Sequence, residues 1–131
     1  MAELWSVYAS EDACELAMRA LGAGRVAADE VMVRGPIAED LRVAILAVDP
    51  DGLIREATEG WVEIAVDGGD ARDVFARVSE LRLPDGRGYL QGDVARVAAR
   101  VYVEDDGIRV LVPAHWESHL RRRLEGAGSG A

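Results

Sequence analysis

His115 and His119 stand four residues apart, the first spacing in this sequence that suits a chemical site. On a helix that interval puts both rings on one face, the arrangement that helix-borne zinc sites use. A metalloprotease helix places a general-base glutamate directly after the first histidine; here Trp116 holds that place and Glu117 projects elsewhere. No third ligand is assignable, so both histidines read as surface or partner-facing groups and no metal is expected. Gly86, Gly88 and Gly92 would let backbone N–H groups approach an anion, but their run leads into a strand and lacks the Lys-Ser/Thr ending of a phosphate loop. It reads as a connector. Gly68-Gly69-Asp70 is a similarly weak signal, and the acidic runs Asp29-Glu30, Glu39-Asp40 and Glu104 to Asp106 read as solvated turns. No serine or cysteine has a nucleophile's setting, and no carboxylate pair has the apolar flanks of a tuned acid and base, so no catalytic residue is assigned.

Arg121, Arg122 and Arg123 form the densest cationic run. At a helix C-terminus they complement the dipole, and they also offer a docking face for an acidic partner or an anionic cofactor. Trp5, Trp61 and Trp116 raise the same choice, since indoles favour both cores and interfaces. Trp61, Trp116 and Arg121 to Arg123 are the candidate partner-interface residues.

Those residues are carried on 131 positions with 15 arginines, no lysine and 24 carboxylates, a formal charge of −9. That balance excludes a duplex-wide nucleic-acid partner, which needs clustered cations, and disfavours an anionic membrane surface. Half the residues are hydrophobic but only seven are aromatic, so Val, Leu, Ile and Ala must fill the core. The lone Cys14 has no disulfide partner within the chain and reads as a small buried hydrophobe, which suits a reducing compartment. No apolar run reaches the roughly 18 residues of a membrane span, and Met1 to Ser10 lacks a signal-peptide pattern, so a cytoplasmic location is expected.

The expected organisation is one α+β domain over residues 1–125 with a disordered tail at 126–131. Period-two alternation predicts strands over Leu4 to Ala9, Glu30 to Arg34 and Trp61 to Asp67. A long strand is predicted over Val94 to Glu104, with Val97, Ala99, Val101 and Val103 on one face and Arg96, Arg100 and Tyr102 on the other. Asp105-Asp106-Gly107 then turns the chain into Ile108 to Val112. The apolar run Arg42 to Val48 is read as a strand buried on both faces. Helices are predicted over Asp12 to Leu21, capped by Asp12 with Glu15, over Ala71 to Ser79, capped by Asp70, and over Ala114 to Leu124. The short connections require antiparallel pairing, and a mostly antiparallel sheet with helices on one face follows.

The stretch Asp51 to Glu125 carries a further pattern: Trp61-Val-Glu-Ile-Ala-Val-Asp-Gly-Gly-Asp70-Ala, then Leu81-Arg-Leu-Pro84, Gly92-Asp-Val-Ala-Arg-Val-Ala, and Ile108-Arg-Val-Leu-Val-Pro113 before a helix. It resembles the C-terminal half of the gamma subunit of heterotetrameric sarcosine oxidase and, more distantly, the folate-binding domain of the glycine cleavage T protein (aminomethyltransferase). The resemblance covers about three-fifths of the chain, with Gly69 where the family has proline, and residues 1–49 match only loosely. It implies the T-protein-like fold and a noncatalytic subunit beside a flavin- and folate-using amine oxidase, with flavin held by the partner subunits. The T protein carries an aspartate on its long strand that acts on the folate-linked carbon, whereas the matching stretch here is Arg96-Val-Ala-Ala-Arg100. Methylene transfer by this chain is therefore not expected.

Two readings compete with a gamma-type subunit that assists assembly and folate-linked demethylation. One is a stand-alone binder of tetrahydrofolate or a small anion through a concave sheet face, with Arg96, Arg100 and Tyr102 as contacts. The other is a noncatalytic homo-oligomer closed by its outer tryptophans.

Overall fold

The structure, a computed structural model, describes residues 3–129. Its backbone divides between Thr58 and Glu59 into two units, each built on a four-stranded antiparallel sheet. The α+β class and the antiparallel pairing expected from the sequence are present, in two sheets where one was expected.

The first unit runs β1 (Leu4–Tyr8), α1 (Glu11–Ala17), β2 (Ala23–Ala27), β3 (Glu30–Arg34), α2 (Glu39–Val48) and β4 (Leu53–Glu56). The strand order β2-β3-β1-β4 is that of a split βαβ arrangement, in which β3 pairs between β1 and β2. Val7 of β1 and Val31 and Val33 of β3 face Ala13, Cys14 and Ala17 of α1 and Ile37 and Ile45 around α2. Three small residues on α1 let that helix sit close to the sheet. Cys14 is fully buried; its Sγ lies 3.6 Å from the Ala9 carbonyl oxygen, and burial pushes its thiol pKa up.

Several boundaries differ from those expected. Ser10 caps α1 in place of Asp12: its Oγ accepts from the Ala13 N–H at 3.3 Å, and Glu11 and Asp12 fall in the first turn, where they complement the dipole. Arg42 to Val48 is not a strand but the body of α2. Ile45 is buried with Leu41 one turn before it, while Val43 is 60% exposed and Leu46 and Val48 also face out. A short apolar run does not reveal its period, and Ala44, Leu46 and Ala47 supply helix propensity against the β-branched residues. Strands β2 and β4 had no strong pattern. Ala23-Gly-Arg-Val-Ala has little β propensity and shifts register between Arg25 and Ala27, so tertiary pairing with β3 defines it.

The second unit runs β5 (Trp61–Asp67), α3 (Ala71–Ala76), β6 (Gly88–Val94), β7 (Val97–Glu104), β8 (Gly107–Pro113), a 3₁₀ turn (Ala114–Trp116) and α4 (Glu117–Ser129). Strand order is β5-β8-β7-β6. The predicted alternation holds: Val97, Ala99, Val101 and Val103 share a buried face with Ile64, Ile108, Val110 and Val112, covered by Val74 and Phe75 of α3 and Leu120 and Leu124 of α4. Helices therefore lie on one face of this sheet, as expected.

Here too the limits move. Gly88 to Gly92 is strand where a connector was expected, and β7 begins at Val97 because Ala95 and Arg96 form a two-residue turn. Arg96 consequently leaves the strand face it was expected to share with Arg100. Asp70 makes no side-chain capping bond to α3, which ends at Ala76. Helix α4 continues past Glu125 through Ser129, into the segment expected to be disordered; Gly130 and Ala131 of that tail lie outside the described residues. No helix among the described residues is long and apolar enough to cross a membrane.

One glycine closes the first sheet. Gly22 has φ +82°, its carbonyl accepts from the Arg34 N–H at 3.0 Å, and a Cβ there would strike the Arg34 carbonyl oxygen. Gly22→Ala is expected to destabilise the fold by about 2 kcal/mol or more, combining left-handed strain with a backbone clash, as read from urea unfolding midpoints.

Candidate functional site

The turn between β6 and β7 organises the end of the second unit. Ala95 (φ 50°) and Arg96 (φ 69°) occupy the two left-handed positions of a tight hairpin closed by the Val94–Val97 pair. Asn-Gly is the usual solution for such a turn, and a Cβ at either place costs about 1 kcal/mol or more. Two hydrogen bonds hold the strained Ala95 in place. Its N–H donates to the Val78 carbonyl at 2.6 Å, and its own carbonyl accepts from His119 Nε2 at 3.0 Å. A carbonyl can only accept, so that nitrogen carries the proton. The turn is thereby tied to the exit of α3 and to the inner side of α4.

These ties frame a cleft of about 840 Å³, walled by Arg77 to Leu81, the β6–β7 turn and α4. Arg77, Arg96 and Arg123 line it from three different elements, with Glu80 and Asp93 as the opposing charges. Ser79 ties the segment to β6: its Oγ donates to the Asp93 carbonyl at 2.8 Å and accepts from the Leu81 N–H at 3.1 Å. Arg77 donates from Nη1 to the Ala127 carbonyl of α4. A neighbouring hollow of about 470 Å³ shares Arg77 and Arg123 and adds His119 and Arg122.

The residues singled out from the sequence separate into three places. Arg96 is exposed in the turn and faces the cleft. Arg100 and Tyr102 lie on the sheet face away from α3 and α4. The Arg100 guanidinium sits 4.4 Å from the centroid of the Trp61 ring, and the buried Tyr102 meets Tyr89 edge-on at 5.0 Å. The structure thus joins Arg100 with Trp61 and parts both from Arg96. Trp116, 41% exposed in the 3₁₀ turn, has His115 at 5.2 Å and His119 at 5.6 Å. The triple-arginine run is split as well: Arg121 pairs with Glu117 at 2.9 Å, Arg122 faces the smaller hollow, and Arg123 reaches both. Sequence reasoning missed Arg77, whose only signal was its place just after the helical run Val74-Phe75.

Elsewhere, Arg109 is ringed by carboxylates, with Asp67 at 2.8 Å and Glu104 and Asp106 at 3.6 Å, which is a closed charge network. Among the described residues no group of three or more His, Cys, Asp or Glu is placed to hold a metal ion.

Ala95→Gly is expected to raise stability by about 1 kcal/mol by relieving left-handed strain, and His119→Ala to lower it by about 1 kcal/mol through the lost bond to Ala95. Thermal midpoints of the two variants check both signs.

No protein-family model matches the sequence, and no curated protein matches it. In fold, the chain is similar to a chain of the heterotetrameric sarcosine oxidase from Corynebacterium sp. U-96 in complex with pyrrole 2-carboxylate. The TM-score is 0.78 at 13% identity, covering 98% of this chain and 80% of that chain. The likeness extends over both units, including the first 49 residues that matched only loosely by sequence.

Proposed function

We propose that this chain is a small, noncatalytic, gamma-type subunit of a sarcosine oxidase-like flavoenzyme, working through assembly with sibling subunits. The observation that carries the reading is the fold match along 98% of the chain to a protein that is itself a heterotetramer. On this reading flavin belongs to a partner subunit, tetrahydrofolate serves the assembly's demethylation chemistry, and the complex resides in the cytoplasm, the reducing setting that an unpaired cysteine suits.

A subunit of such an assembly needs a surface worth covering, and the first unit has one. Tyr8 and Leu53 pair across β1 and β4 and are 42% and 51% exposed. Leu46 packs beside Gly52, and Val43 and Val48 extend the exposed apolar residues along α2. Val7 and Ile54 face the helices, so Tyr8 and Leu53 stand on the opposite sheet face, and sheet and α2 each expose apolar residues of the kind that interaction sites use. In the second unit Trp116 and the arginines after it are the corresponding exposed groups.

The test is purification of the tagged chain from its native cell, with mass spectrometry of coeluting proteins and a flavin absorbance scan. Stoichiometric coelution with a large flavoprotein is expected; a lone chain or homodimer without flavin would overturn the reading and favour the homo-oligomer. Leu53→Asp and Trp116→Ala are each expected to weaken assembly by about tenfold or more while leaving the melting midpoint of the free chain unchanged. An unaltered complex would remove that residue from the interface.

A further inference from the structure

Charge in this molecule is unevenly satisfied. Although carboxylates outnumber arginines 24 to 15, the side chains of Arg96, Arg122 and Arg123 make no hydrogen bond or ion pair with any described residue. Other guanidiniums are engaged: Arg25 with Glu15, Arg42 with Glu39, Arg87 with Asp105, Arg109 with three acids and Arg121 with Glu117. Arg19, Arg55 and Arg82 also lack such a partner, but they lie apart, whereas Arg96, Arg122 and Arg123 fall together on the cleft beside the β6–β7 turn and its neighbouring hollow. Arg96 and Arg123 line the cleft together with Arg77, whose bond to Ala127 fixes the direction of its remaining donors.

We propose that this cleft is a binding site for a small, multiply charged oxyanion, a phosphate or a polycarboxylate, held by Arg77, Arg96 and Arg123. The inference stands apart from the subunit reading, since it concerns a site contained within this chain. Three features support it. A volume of about 840 Å³ falls within the range of small-molecule sites. Arginines from α3's exit, a turn and α4 line the same cleft, and planar N–H forks match the paired oxygens of carboxylate and phosphate. Glu80 and Asp93 on the same wall offset part of the field, so a singly charged anion gains little there and a multiply charged one gains most.

The backbone adds an independent observation. Arg96 sits at a left-handed position that glycine fills without strain, and the clamp on Ala95 holds it there. A residue kept where its side chain reaches a cleft at a conformational cost points to a use for that side chain.

The experiment is isothermal titration of the full chain with inorganic phosphate, citrate and acetate at low ionic strength. Saturable binding of phosphate or citrate is expected with a Kd below about 1 mM, with none for acetate; the tighter of the two names the oxyanion class. Arg96→Gly, which keeps the turn's backbone, and Arg123→Ala should each weaken binding by about tenfold. Arg121→Ala, which removes a side chain already paired with Glu117, should leave it unchanged. The melting midpoint of Arg96→Gly should stay level or rise, separating lost binding from lost folding. Absence of saturable binding by both probes would overturn the proposal. So would equal weakening by Arg121→Ala and Arg123→Ala, the mark of diffuse attraction.

Discussion

Burial of one aliphatic face organises the second unit. Alternate residues of β7 and β8 present an almost continuous layer of valine, alanine and isoleucine, and Phe75, Leu120 and Leu124 descend onto it from the two helices. With so few aromatic rings available, this layer must be broad and regular, because each branched aliphatic side chain removes less surface from water than a ring does. A one-residue slip in β7 would turn Val97, Ala99, Val101 and Val103 outward and bring Arg100 and Tyr102 into the core. The hairpin turns at Ala95-Arg96 and Asp105-Asp106 hold the register.

The Ala95-Arg96 turn links packing to chemistry. The pull of α4 onto the sheet through Leu120 brings His119 to the Ala95 carbonyl, and the exit of α3 receives the Ala95 N–H. Three elements thus meet at one peptide, and their arginines meet around the hollow beside it. The cleft is a by-product of how the core closes at its end, and its side chains come from positions dozens of residues apart.

This distance explains what could be read in advance. Period-two strands such as Trp61–Asp67 and Val97–Glu104 declare themselves because one face is buried and the other is not. Arg42 to Val48 does not, since its outward residues are as apolar as its inward ones and the pattern loses its period. The resemblance to a sarcosine oxidase subunit was legible mainly in the second half, whereas the fold match spans nearly the whole chain. Away from the cleft, Arg100 and Tyr102 were legible as sharing a strand face. The pairing of Arg96 with Arg77 and Arg123 was not, because it depends on a turn that removes Arg96 from that face and on the rotation of α4. That rotation also decides which arginine in the run Arg121 to Arg123 is paired and which faces the cleft.

The topology of the second sheet distributes the entropy of folding unequally. Strands β6, β7 and β8 follow one another through two-residue turns, so each zips onto its neighbour with little loop to close. Strand β5 pairs with β8 from Trp61 opposite Pro113 to Asp67 opposite Gly107, and everything between must be gathered before that edge can join. Its register is enforced at close quarters: a side chain at Gly107 would collide with the Val66 carbonyl. The meander is a local structure that the chain can find quickly, while β5 carries nearly all of the long-range ordering cost. The strand that begins with Trp61 is therefore the one whose docking marks the unit as complete.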